Sequence, residues 1–133
     1  MVRYVRAPEM EMVVRKIIED LSLHYIDSSR IKCVKSYQSK SLKTHARIHT
    51  ASRAFFAGVG MPPMYVIEFI SDNFDKLSEE EKIKVIIHEL LHIPRSFSGG
   101  LITHGRLDFE EECERLYKFL LGKNCGSIIP RSR

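Results

Sequence analysis

Val85-Ile86-Ile87-His88-Glu89-Leu90-Leu91-His92 is the stretch on which the reading of this chain turns. On a helix of 3.6 residues per turn, side chains four apart lie one above the other, so His88 and His92 offer imidazole nitrogens to one metal ion. Glu89 sits at the adjacent edge of that face, where it can take a proton from an activated water without itself being a ligand. Ile86, Ile87, Leu90, Leu91 and Ile93 make the surroundings almost wholly apolar, as in a helix buried at the centre of a domain. Ionisable groups inside such a helix need partners, because burying them unpaired costs several kcal/mol. A metal partners two of the three. Upstream, Ser78-Glu79-Glu80-Glu81 has the form of a capping box, so the helix is expected from about Glu79 through His92.

A catalytic zinc takes three protein ligands and keeps a fourth position for water. His104 is the expected third ligand: Pro94 ends the helix soon after His92, and Ser98-Gly99-Gly100 gives a segment able to turn the chain back. Gly105 lets the backbone pass close by. The alternative third ligand is a carboxylate from Asp108, Glu110, Glu111, Glu112 or Glu114. Three imidazoles suit Zn2+, one ion per chain.

The run from His88 to Gly100, with His104-Gly105 behind it, resembles the small archaeal and phage-type metallopeptidases of the zincin clan. The likeness extends upstream through Met61-Pro62-Pro63-Met64-Tyr65-Val66-Ile67-Glu68. It implies that His88, His92 and His104 hold the zinc and that Glu89 is the catalytic base. The implied fold is zincin-like α+β, a small mixed sheet of about three strands with the active-site helix and flanking N- and C-terminal helices. The resemblance also implies that the strand before the active-site helix lies at the sheet edge and holds a peptide substrate as an added strand. A weaker similarity links the motif to SprT-like proteases, which act on DNA-associated proteins. Here Asp108 stands where those sequences place an aromatic residue, and Phe109 comes one later. Pro94 departs from the general zincin pattern, which bears on where the helix ends.

The chain has 133 residues, 44% of them hydrophobic. That is one domain, residues 1–133, with enough length to bury a core. No run of eighteen apolar residues and no apolar leader at Met1–Pro8 is present, so the expectation is a cytoplasmic protein without a membrane partner. Cys33, Cys113 and Cys125 form no C-x-x-C pair and are odd in number, which favours free thiols; a cysteine ligand to the metal is the alternative reading.

Met10, Val13, Val14, Ile17, Ile18 and Leu21 keep helical spacing between Pro8 and Tyr25, with Pro8 in the first turn. His24, at the end of that helix, reads as a partner of the helix dipole. Arg30–Tyr37 and Ala46–Phe56 read as strands joined by the turn Gln38-Ser39-Lys40-Ser41, and Met64–Ile70 as the best strand of the chain, with Glu68 at its surface. Gly58–Pro63 reads as a break, and Asp72, Asn73 and Asp75 as a turn. Phe109, Cys113, Leu116, Tyr117, Leu120 and Leu121 predict a last helix that buttresses the site, capped at Gly122, with a short tail from Asn124 to Arg133.

The combined expectation is peptide hydrolysis, with Tyr65, Tyr117, Arg106, His45 and His49 as candidate oxyanion stabilisers by chemistry alone. Two alternatives stand beside it. From Ser28 to Ile67 there is no acidic residue, while Arg30, Lys32, Lys35, Lys40, Lys43, Arg47 and Arg53 are basic. A surface of one sign attracts nucleic acid, which fits a DNA-associated protease or binding module. The other alternative is a zinc-clamped interaction domain without catalysis. An intact Glu89 argues against it, because a clamp needs no base.

Overall fold

The computed structural model describes residues 1–106 and 108–123, with the side chain of Arg106 excepted; the expected tail from Asn124, with Cys125, lies outside the described residues. The described elements run β1 (Arg3–Arg6), α1 (Pro8–Asp20), β2 (Ile31–Tyr37), β3 (Ala46–His49), α2 (Arg53–Val59), β4 (Tyr65–Ile70), α3 (Ser71–Phe74), α4 (Glu79–Leu91) and α5 (Phe109–Lys123). The sheet has the order β1-β2-β4-β3. β2 and β4 are parallel, whereas β1 and β3 are antiparallel to their neighbours. The architecture is therefore mixed α+β with a small mixed sheet.

An interior strand flanked on both sides is buried along its length, which is why Tyr65-Val66-Ile67-Glu68-Phe69-Ile70 is so apolar. Strand alternation divides its side chains between two faces. Tyr65, Ile67 and Phe69 point with Ile31, Cys33, Ala46 and Ile48 into the main core. There they meet Val14 and Ile17 of α1, Ile86, Ile87 and Leu90 of α4, and Leu116 and Leu120 of α5. Each such side chain contributes about 1.5–3 kcal/mol when fully buried. The helix carrying the histidine pair thus lies across the sheet as part of the core.

Several local expectations hold. Pro8 sits in the first turn of α1, and Ser78 and Glu81 form the expected capping box: Glu81 N–H donates to Ser78 Oγ at 3.2 Å and Ser78 N–H to Glu81 Oε1 at 3.1 Å. The helix they start runs to Leu91, with His92 at its C-terminal cap.

Other expectations are corrected. β4 is interior, and the edge strand next to α4 is β3. Parallel β4 inserts between β2 and β3, so residues 38–45 form a crossing loop and not a hairpin turn. The strand expected over Ala46–Phe56 ends at His49. Ser52 then caps α2 by accepting from Phe55 N–H, and Gly60 closes that helix in the left-handed conformation at φ 72°. The first helix stops at Asp20, short of Tyr25, and Ser71–Phe74 forms a single helical turn. Gly122 lies inside α5 and not at its cap. β1 adds a fourth strand whose side chains are all exposed.

Glu68 is likewise not a surface residue. It is 3% exposed and belongs to the sheet face opposite the main core, where its carboxylate accepts from His49 Nε2–H at 2.8 Å. Among the described residues, no helix is long and apolar enough to cross a membrane.

Candidate metal centre

The last turn of α4 carries His88 and Glu89, His92 stands at the helix cap, and the chain leaves there to return at His104. The fold brings the three histidines together: each offers a ring nitrogen, and these nitrogens all lie within 4.8 Å of one another. His88 Nε2 and His104 Nε2 are 3.0 Å apart. Two nitrogens on one tetrahedral zinc would stand about 3.3 Å apart at the usual bond lengths, close to the separation of His88 and His104, and the third nitrogen is near enough to join the same ion after a small side-chain adjustment. None of the acidic residues of α5 belongs to this cluster.

His92 is oriented by its backbone surroundings. Its Nδ1 lies 2.7 Å from the carbonyl oxygen of Ile102, and a carbonyl can only accept, so Nδ1 carries the proton and Nε2 is left with its lone pair. A ligand imidazole needs that tautomer. Ile102 N–H donates in return to the His92 carbonyl at 2.7 Å.

The two helix imidazoles are also disfavoured as cations. Burial, and then the neighbouring His92 and His104, lower the pKa of His88 to about 4. Burial lowers that of His92, opposed by its bond to Ile102 and assisted by His104. Phe109 lies under all three rings, at centroid distances of 5.2, 4.5 and 4.9 Å from His88, His92 and His104.

Glu89 is 8% exposed, and burial pushes its carboxyl up to about 7. A carboxylate tuned to neutral pH has the proton affinity that a general base requires. A cleft of about 530 Å³ opens on it. Thr44, His45 and Ala46 line one wall, His88 and Glu89 the floor, and Cys113 of α5 the other side.

The remaining candidates are distributed over the molecule. Tyr65 is wholly buried, and its hydroxyl is engaged with the backbone of Gly99 and Gly100. Tyr117 is buried in α5 beneath Lys84, whose ammonium stands 5.0 Å above the ring. His49 is turned to the opposite face of the sheet with Glu68. His45 alone of these lines the cleft among the described residues.

Cys33 and Cys113 are free, and burial pushes their thiols up to about 12 and about 11, so both stay protonated; neither joins the histidines. The basic residues of the acid-free segment do not share one surface. Lys32 and Arg47 lie on the open sheet face, Lys35 belongs to the opposite set of β2 positions, Arg30 pairs with Asp27 at 3.4 Å, and Lys43 lines the cleft.

A histidine pair at the end of a core helix and a third histidine returning on a loop are groups that can hold one metal ion, and a buried glutamate lies in the adjoining cleft. Residues 2–128 match the family described as "Putative phage metallopeptidase", and the chain belongs to that family. No curated protein and no solved structure matched the chain. Support for the site from α2 carries two sequence signals, Ser52 before the helix and Gly60 after it; the helix packs against the loop between His92 and His104 through Phe56 and Gly99.

Proposed function

We propose that the chain is a zinc-dependent peptidase that cleaves peptide bonds by attack of an activated water, with His88, His92 and His104 as the zinc ligands and Glu89 as general base. The observation that carries this reading is the convergence of three imidazoles, within 4.8 Å of one another at their ring nitrogens, next to a buried carboxyl pushed up to about 7. When bound, zinc supplies Lewis-acid activation of water and of the scissile carbonyl. Glu89 takes the proton of the attacking water and delivers it to the leaving nitrogen. His45, on the cleft wall, donates to the developing oxyanion.

The substrate main chain pairs with β3, which has β4 on one side and no strand on its other side among the described residues. Such pairing gives affinity with little demand on sequence, and the cleft between residues 44–46 and α5 receives a side chain.

The test is elemental analysis of purified wild type, Glu89→Gln and His104→Ala, run beside hydrolysis of an unfolded protein substrate. One zinc per chain in the wild type and in Glu89→Gln is expected, with zinc reduced in His104→Ala. Turnover should fall about 10²–10⁴-fold in Glu89→Gln. Hydrolysis retained in Glu89→Gln would remove Glu89 as base. Zinc without any wild-type turnover would favour the non-catalytic clamp.

A further inference from the structure

Residues 93–103 separate the cap of α4 from His104, and a free loop of that length would spread its far end over many positions. The structure restrains it at three points. Ile102 exchanges two contacts with His92, each 2.7 Å, which leaves only Thr103 before His104. Gly100 N–H donates to the Ala51 carbonyl at 3.2 Å. Between them stands Tyr65, rooted at the start of β4 and wholly buried.

Its hydroxyl accepts from Gly99 N–H at 3.1 Å and donates to the Gly100 carbonyl at 3.1 Å, using both its acceptor and its single proton. Its ring lies 5.1 Å from that of Phe97 on the same loop. The loop is shaped to reach this phenol. Gly99 has φ 98°, and a Cβ there would stand 2.7 Å from the Ala51 carbonyl oxygen. Gly100 has φ 75°. These are backbone conformations that glycine adopts at little cost.

Resting on the three-histidine reading above, we propose that Tyr65 is a positioning residue for the metal centre: from the sheet it fixes the loop that delivers His104. It touches neither substrate nor reacting atoms. Its effect is to hold the third ligand close to the helix pair, which raises the effective concentration of that ligand at the ion.

The experiment is zinc titration, by competition with a chromophoric chelator, of wild type, Tyr65→Phe, His104→Ala and the double variant. The absorption spectrum of the cobalt(II)-loaded proteins and thermal unfolding of the metal-free proteins accompany it. Phenylalanine keeps the ring and loses the hydroxyl. Zinc affinity is expected to fall about 10–100-fold in Tyr65→Phe, as is typical for groups that orient a ligand. The same substitution should change affinity little when His104 is already alanine, because a group acting through His104 has nothing left to position.

The cobalt spectrum of Tyr65→Phe should move toward that of His104→Ala. Gly99→Ala, which attacks the same loop from the Ala51 side, should reproduce the pattern if Tyr65→Phe folds poorly. Wild-type affinity in both loop variants would overturn the proposal. So would equal losses with and without His104, which would mark general loosening of the fold. A wild type that takes up no zinc would instead overturn the three-histidine reading itself, and the proposal with it.

Discussion

His49 and Glu68 meet diagonally across β3 and β4, with Nε2 of the imidazole 2.8 Å from Oε1 of a carboxylate that is 3% exposed. Burial pushes the Glu68 carboxyl up, but the neighbouring Ser36 hydroxyl, His49 and the charge of Arg47 outweigh it and hold the pKa below its ordinary 4.5. A carboxyl whose folded pKa is depressed contributes stability that is fully present above the unfolded value. That stability is lost as pH falls through the folded value. Glu68→Gln should therefore be less stable than wild type near neutrality, and the gap should narrow as pH drops below about 4.5. Denaturant melts of both proteins at stepped pH measure it; a gap that stays constant or widens below about pH 4.5 would rule out the ionised Glu68 carboxylate as its source.

Ser78 and Glu81 close the capping box of α4 at some distance from the histidine cluster: ten residues at the helical rise put Ser78 about 15 Å along the axis from His88. Ser78→Ala removes the acceptor for Glu81 N–H and should cost about 1 kcal/mol of stability. Zinc affinity should be unchanged. A coupled loss of affinity would show that fraying at the start of the helix reaches His88.

His45 lines the same cleft as His88 and Glu89, and its own carbonyl is fixed by Ile70 N–H at 3.0 Å. As oxyanion donor, its replacement by alanine should lower kcat about 10²-fold or more while leaving zinc content at the wild-type level. Steady-state kinetics beside elemental analysis separate the two. A variant with raised KM and unchanged kcat would move His45 from stabilising the transition state to binding substrate.

The parts of the fold legible in the sequence are those whose determinants are local. The capping box at Ser78, the apolar run from Ile86 to Leu91 and the four-residue spacing of His88 and His92 are all set within α4. The return of His104 to the histidine pair is legible because Pro94 and the glycines at 99 and 100 describe a chain that must leave the helix and turn. What was not legible depends on distant partners. The place of β4 between β2 and β3 follows from a parallel pairing that no turn signal announces.

Glu68 reads as a surface position because a charged residue in a strand usually is one, and its partner His49 lies nineteen residues upstream. β1 is four residues with every side chain exposed, so no alternation marks it. Helix α2 did carry signals, Ser52 before and Gly60 after, but aromatic Phe55 and Phe56 gave the segment the composition of a strand.

Phe109 packs against the rings of His88, His92 and His104 at once, is 4% exposed, and opens α5. Its ring closes the side of the cluster toward α5 and limits how far each imidazole can rotate. Phe109→Ala should cost about 3–5 kcal/mol, the range for emptying a buried aromatic site. The same variant should weaken zinc binding, because imidazoles free to rotate must be ordered again when the ion binds. Phe109→Leu restores much of the lost volume and should recover most of the stability, but less of the affinity, since a branched chain cannot reproduce the tilted and edge-on ring contacts with the three imidazoles. Thermal unfolding of the metal-free proteins and zinc titration of each variant measure the two effects separately. Wild-type zinc affinity in Phe109→Ala would show that the histidines hold their arrangement without the ring beneath them, and would reduce Phe109 to a core residue of α5.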